Sequence, residues 1–395
     1  VLIIVSKIKS PKLKSIMKKS FLFSFLLALL ALSGISQVKY EFTTTTEVKT
    51  TPVKNQFRTG TCWSFSTISF VETELLRKGK GELNLSEMYP VHYTYYQRAI
   101  DYVRYHGHLN FDAGAQSWDL INGIAQYGYV PEEVYPGLEY GESVHTHGEL
   151  NKVLTTFLEG VIENKNGKLS LSWKNSFNGI LDSYLGKMPE KFTYKGKEYT
   201  PQSFAEELDF HPEEYVSITS FTHHPYYKPF VFESPDNWSH QLLYNVKLDD
   251  LITIITSAIE KGYSVQWSSD FSEKGLSSAR GIGIVPAKDY YLKSKEEQEA
   301  TCVFIEEEKI ITAEMRQEAF DNYSTTDDHA MQIVGLAKDQ NGKRYFKIKN
   351  SHGTSNDFQG YLFVSEAFVR YKTMSILLHK NAIPDEIGKK FEGFK

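Results

Sequence analysis

Apolar residues recur at helical spacing over 62–76, where Phe65, Ile68, Phe70, Val71, Leu75 and Leu76 share a face and Lys78-Gly79 ends the run. This pattern predicts a helix that begins at Cys62. Ser86 precedes a second helix carrying Tyr89, Tyr93 and Tyr96 at i, i+4 and i+7, with Ile100 and Val103 extending the stripe. Such a stripe reads as core or subunit contact. A third helix is predicted over 115–127, closed by Gly128, and a later one over 248–261. The period then changes. Residues 263–267 are aromatic and β-branched, and 331–337 and 344–349 flank an Asn341-Gly342 turn, with Arg and Lys facing outward and Tyr, Phe and Ile inward.

Helices first and strands last predict an α+β protein of two lobes. A Thr-rich lead-in (42–51) and a short extended piece (51–56) precede the first helix. Over 140–235 polar and aromatic residues mix without a strong period, broken by Gly160, Gly179, Pro189, Gly196, Pro201, Pro225 and Pro229. This stretch reads as an inserted subdomain. The expected organisation is a helical lobe (37–139), the insert (140–235), a β-rich lobe (236–382) and a C-terminal arm (383–395).

Residues 1–36 stand apart. Met17-Lys18-Lys19, the apolar run 21–32 and Gly34-Ile35-Ser36 have the form of a cleavable signal peptide ending after Ser36, with residues 1–16 an upstream extension of the reading frame. The run is short of the roughly 18 apolar residues of a membrane span. Export follows as the expectation, to a periplasmic or extracellular location, with no membrane attachment after cleavage.

Composition changes the picture in two ways. Hydrophobic residues are 41% and aromatic residues 14% of the 395, a globular balance. Without residues 1–36 and their six lysines, 38 basic residues face 49 acidic ones, a net charge near -11. An acidic chain without a basic stretch has no electrostatic footprint for nucleic acid. Two cysteines, Cys62 and Cys302, exclude a disulfide scaffold and a four-cysteine zinc site.

The chemistry concentrates in Gln56-Phe57-Arg58-Thr59-Gly60-Thr61-Cys62-Trp63. A cysteine at a helix start has its thiolate favoured by the dipole and by unpaired backbone N–H groups. Gly60 allows a tight turn, and Gln56 can offer an N–H beside that of Cys62 to hold an oxyanion. His329 stands immediately before a buried strand, placed to act as a general base. Asn350 ends the next strand, placed to orient the imidazole.

This order of Gln, Cys, His and Asn resembles the papain-like cysteine peptidases, whose C-G-S/A-C-W/Y signature is written here Thr59-Gly60-Thr61-Cys62-Trp63. His329 follows Cys62 by 267 residues, against about 130 to 150 in the simple papain pattern. The extra length, with 83–87 (LNLSE), 114–119 (GAQSWD), 127–131 (YGYVP) and 244–246 (YNV), resembles the bleomycin hydrolase and aminopeptidase C branch. The resemblance implies a papain-like two-lobed fold, a helical lobe plus an antiparallel β-barrel-like lobe, with a large inserted subdomain. It implies aminopeptidase activity on peptide substrates, no cofactor, and a homo-oligomer in the form of a hexameric ring. It further implies Cys62, His329 and Asn350 as catalytic residues, Gln56 in the oxyanion hole, Gly114 and Ala115 beside the substrate backbone, and a terminal carboxylate at Lys395 meeting the substrate ammonium. Three positions depart from the branch: His352 replaces the Trp that shields the asparagine–histidine bond, Ala115 replaces a second glycine, and the arm lacks an Ala-rich end. An open-cleft endopeptidase and an inactive peptide-binding homologue are the competing readings.

Other candidates lack a pattern. His145, His147, His223 and His224 have no carboxylate or cysteine at metal-ligand spacing and read as solvent-facing; Cys302, beside Val303 and Phe304, reads as a buried strand thiol. Asp327-Asp328 is an acidic lead into His329.

Overall fold

The amphipathic run that starts at Cys62 forms the helix Cys62–Arg77 and lies buried between two cores. The computed structural model describes residues 38–165 and 167–394; the signal sequence read over 17–36 and the terminal Lys395 lie outside them.

On one side of this helix are the helices Met88–Arg104, Ser117–Tyr127, Gly148–Ile162 and Ser172–Leu185, which share one hydrophobic core with it. The tyrosine stripe belongs to that core. Tyr93 stacks on Tyr127 at 4.4 Å between ring centres, and the Tyr89 hydroxyl donates to the Tyr127 carbonyl at 2.7 Å.

On the other side is an eleven-stranded sheet. Its central members are β7 (Val265–Ser269), β10 (His329–Asp339), β11 (Arg344–Lys349), β12 (Tyr361–Ser365) and β13 (Thr373–His379), in the order β13-β7-β10-β11-β12. The expected hairpin is present as β10 and β11, with Gly342 at φ 81° in its turn. Lys349 departs from the inward–outward alternation: it is buried, and its Nζ donates to Ser69 Oγ at 2.7 Å and Thr51 Oγ1 at 3.1 Å. Both faces of the strand are covered there, so the lysine head is held by hydroxyls of the other lobe.

A polar seam fixes the lobes against each other. Ser69, half-buried, donates to Gln332 Oε1 at 2.7 Å, and Gln332 Nε2 donates to the buried Thr73 Oγ1 and Ser264 Oγ at 3.0 and 2.9 Å. Each buried amide has specific partners, so the helix has one register on β10.

Three expectations change. The stretch 140–235 is shared between the lobes. Leu150, Leu154, Leu158, Phe177, Leu181 and Leu185 complete the helical core, while β4 (Tyr215–Thr219) and β5 (Pro229–Val231) join the large sheet. The Thr-rich lead-in contains the strand β1 (Phe42–Glu47), paired antiparallel with β10; its exposed Thr residues hide the usual alternation. Cys302 is buried but not in a strand: it lies in a turn at φ 62° after the helix Lys295–Ala300, with its sulfur 3.1 Å from the Gly275 carbonyl. Both cysteines are free.

Candidate active site

Cys62 is the first residue of its helix, and the turn before it is packed against a second loop. A Cβ on Gly60 would approach the Ala113 Cβ to 2.6 Å, so only glycine permits this approach. The Trp63 indole N–H and the Tyr95 hydroxyl both donate to the Ala113 carbonyl, at 3.1 and 3.0 Å. The nucleophile turn and the 113–115 loop therefore form one rigid wall.

Gln56 is buried. Its Oε1 accepts from Ser351 Oγ at 2.6 Å and its Nε2 donates to the Thr59 carbonyl at 2.9 Å. One N–H of the amide remains for an oxyanion. His329 begins β10, and its Nε2 lies 2.8 Å from Asn350 Oδ1, which also accepts the Ser351 backbone N–H at 2.8 Å. The backbone N–H of Ala330, next to His329, faces the Cys62 thiol and opposes the rise in its pKa. The four residues singled out in the sequence thus come from both lobes to one place.

The missing indole has a substitute. His352 stacks on His329 with ring centres 4.8 Å apart and an interplanar angle of 29°, and its Nδ1 accepts from Asn350 Nδ2 at 3.2 Å. Phe271 packs on His329 at 4.6 Å and edge-on to His352 at 5.8 Å. Asp328 holds Phe271 there by accepting the backbone N–H groups of Phe271 and Ser272, at 2.6 and 3.0 Å. The role of Asp328 is thus to position the cover over the imidazole.

The surroundings of Cys62 oppose the thiolate that a helix start favours. Burial, then the nearby Asp327 and Asp236 carboxylates, push the Cys62 thiol up to about 12. Burial and the neighbouring His352 push His329 down to about 4, against the opposing Asn350 and Asp328. Burial thus works against the charged form of both partners, the thiolate and the imidazolium.

The carboxylates belong to a wall that the sequence did not reveal. Segment 233–239 crosses beside the 113–115 loop, and the Asp236 carboxylate occupies the space where a side chain on Gly114 would go. Asp236 Oδ1 accepts from Arg98 Nη2 at 3.2 Å and Asn110 Nδ2 at 3.1 Å, while the Gly114 carbonyl is taken by Arg98 Nη1. Asp327 Oδ2 accepts from Gln116 Nε2 and, at 3.2 Å, from Ser234 Oγ. Burial and then Asp236 push the Asp327 carboxyl up to about 7, and burial and Asp112 raise Asp236 against the pull of Arg98. A cavity of about 440 Å³ adjoins this wall, lined by the carboxylates Asp112, Glu233, Asp236, Asp321 and Asp327 and by no lysine or arginine. Neither this cavity nor a larger one of about 710 Å³, lined by Lys54, Glu72, Glu87, Glu132 and His145 among others, is lined by any of the four catalytic candidates.

The remaining expectations resolve as follows. Ala115 is buried beside Gly114. The arm does not reach Gly114 in the described residues. Ile387 and Phe391 pack into the β-lobe core, Phe391 and Phe394 lie on Tyr244 at 4.9 and 5.6 Å, and Glu392 pairs with Lys228 at 2.9 Å. Its apolar residues find a buried seat there, away from the Asp236 wall. His145 and His147 are buried, not solvent-facing, and burial lowers them to about 4 and about 3. His223 and His224 do face a carboxylate, that of Glu233, ten and nine residues on.

Comparison with known proteins fits this geometry. Aminopeptidase C of Lactobacillus delbrueckii subsp. lactis is 23% identical over 402 residues, covering 90% of this chain and 86% of that protein. Aminopeptidase E of Lactobacillus helveticus is 22% identical over 390 residues, covering 88% and 85%. The crystal structure of PepW from Lactobacillus rhamnosis HN001 (DR20) superposes with a TM-score of 0.70 at 20% identity, over 98% of this chain and 95% of that one, which establishes a shared fold. The sequence model of the Peptidase C1-like family matches residues 27–394, so the chain belongs to the Peptidase C1-like family and is a cysteine peptidase.

Proposed function

We propose that this cysteine peptidase is an aminopeptidase that removes residues from the free amino end of peptides. The observation that carries the reading is the wall formed by Asp236 and Asp327 beside Gly114. Asp236 fills the space beside Gly114 and Asp327 is tied to the same segment through Ser234; in this reading they close the cleft on the side of the substrate's amino end and present carboxylates to it.

In this reading the substrate α-ammonium settles against Asp236 and Asp327, which places the first peptide bond over Cys62. The arriving cation also offsets the carboxylate charges that add to the effect of burial on the thiol, so binding eases proton transfer from Cys62 to His329. The thiolate attacks the carbonyl carbon, and the Gln56 amide and the Cys62 backbone N–H receive the oxyanion. His329 then protonates the leaving amine and, in the second half, takes a proton from the water that releases the acyl group. Asn350 keeps the ring in plane throughout, under the cover of His352 and Phe271.

The relatives named aminopeptidase C and aminopeptidase E support the same reading. The test is a pair of substrates differing only by N-acetylation. The free form should be cleaved on the order of a hundredfold faster, as expected for an opposite charge in a partly desolvated cleft. Equal rates would establish the endopeptidase reading instead. We also infer export from the 17–36 pattern. Recovery of a mature chain that begins at Gln37 outside the cytoplasm would support it, and an intact amino terminus would refute it.

A further inference from the structure

The loop after β4 carries His223 and His224, and the chain returns through β5 to Glu233, the first residue of the segment that walls the cleft. Both imidazoles point at the same carboxylate. His223 Nε2 is 3.2 Å from Glu233 Oε2, and His224 Nε2 is 2.7 Å from Glu233 Oε1. All three groups offer ligand atoms within 4.8 Å of one another. Two donors on a tetrahedral zinc at about 2.1 Å each stand about 3.4 Å apart, so a set within 4.8 Å needs only side-chain rotations to close on an ion.

Two further features fit a metal better than a plain imidazole–carboxylate contact. Gln317 Oε1 accepts a hydrogen bond from His223 Nδ1–H at 3.0 Å, so Nε2 is the atom that meets a metal once the proton it shares with Glu233 has left. That is the outer partner a metal-binding histidine usually has. Gln317 is itself held, accepting the Thr222 backbone N–H at 2.7 Å and donating to Asp321 Oδ1 at 2.8 Å. The rings are also fixed by aromatic neighbours: His224 stacks on Phe230 at 4.2 Å, and His223 lies against Phe320 at 5.8 Å with an interplanar angle of 23°. Among the described residues no lysine or arginine pairs with Glu233, whose ion-pair partners are these two imidazoles.

We propose that His223, His224 and Glu233 form a site for a zinc-class divalent cation, with two imidazole nitrogens and a carboxylate oxygen as ligands and the fourth position left to water. The half-exposed position gives the ion a way in, and the donor set is one that imidazole-preferring metals select. Binding replaces the protons shared between the imidazoles and Glu233 and releases them, so uptake weakens on acidification. The ion pins Glu233, and with it Ser234, whose hydroxyl donates to Asp327. The site is thus mechanically continuous with the wall of the substrate cavity but does not depend on what that cavity binds.

Cobalt(II) titration of the full chain, followed by its visible d–d absorption and by zinc displacement, tests the proposal. The protein used carries Cys62→Ser, which removes the reactive thiol as a competing ligand. Saturable uptake of one cobalt per chain with a four-coordinate spectrum is expected. Gln317→Ala should weaken it about tenfold, and His224→Ala by at least about a hundredfold. Melting curves in a chelator check that each variant folds, and Glu233→Gln, isosteric with the native residue, serves where His224→Ala does not. Absence of saturable uptake, or uptake unchanged in both His224→Ala and Glu233→Gln, overturns the site.

Discussion

On one flank of Cys62, Gln56, Ser351, Asn350 and His329 form a chain of hydrogen bonds in which the amides and the hydroxyl each have a partner. On the other flank, Asp236 and Asp327 crowd two carboxylates against Arg98, Gln116 and Ser234; burial raises both carboxyls and the thiol, Asp236 adds to the rise of Asp327, and both carboxylates add to that of the thiol. The first flank is nearly satisfied without a substrate. The second carries charge that a cation would complete. In the proposed reading chemistry is preorganised on one side and recognition on the other, and mutation can separate the two.

The largest expected effect tests the shared centre. Cys62→Ser should lose several orders of magnitude in peptide turnover while still binding peptides, because a hydroxyl is a much poorer nucleophile than a thiolate near neutral pH. Turnover near the native rate would move the chemistry elsewhere.

Next is the charged flank alone. Asp236→Asn keeps the shape beside Gly114 and the contact with Asn110, and removes a charge. The advantage of free over acetylated amino termini should fall on the order of a hundredfold, mostly in KM, with turnover of the acetylated substrate little changed. A variant that keeps its full preference would assign ammonium recognition to another group.

The two flanks also differ in how far they could be read from the chain. Cys62, His329, Asn350 and Gln56 stand in short local patterns, at a helix start, a strand start and a strand end, and a residue-by-residue reading finds them. Asp236 lies in a stretch without period, and its meaning comes from Gly114 and Arg98, more than a hundred residues away. Glu233 is hidden for a different reason: its partners are only nine and ten residues away, and they meet it because the chain doubles back between β4 and β5. The stretch 140–235 looked like a separate insert since each short piece lacks a full hydrophobic period. Its Leu150, Phe177 and Leu181 find their partners only in the helical lobe. Helix and hairpin positions were legible because periodicity is local; the burial of His145, His147 and Lys349 was not, because it is tertiary.

A smaller effect concerns the seam that brings both flanks together. Gln332→Leu removes the amide that Ser69, Thr73 and Ser264 address, leaving Ser69 with Lys349 and Thr73 with the Ser69 carbonyl while Ser264 loses its amide partner. A loss of about 1–3 kcal/mol in unfolding free energy is expected from denaturant titration, with substrate preference intact. A changed preference instead would mean that the seam sets the cleft geometry directly.

The smallest effect isolates the cover of the satisfied flank. His329 titrates low first because it is buried and then because His352, itself titratable, adds like charge at 4.8 Å between ring centres. His329 must be neutral to take the Cys62 proton, so activity is lost as pH falls through its pKa, and a lower pKa extends activity to more acidic solution. Burial also lowers the pKa of His352, so both rings face protonation in acid and each opposes the other. His352→Phe keeps the stacking and removes the charge. The His329 pKa should then rise, moving the acidic limb of kcat/KM upward by up to about one pH unit while the rate at neutral pH changes little. The same variant loses the Asn350 Nδ2 contact, which by itself would lower the rate at every pH without moving the limb. A limb that stays in place or moves to lower pH would show that His352 serves as a shield and not as a charge, and would leave burial as the cause of the low His329 pKa.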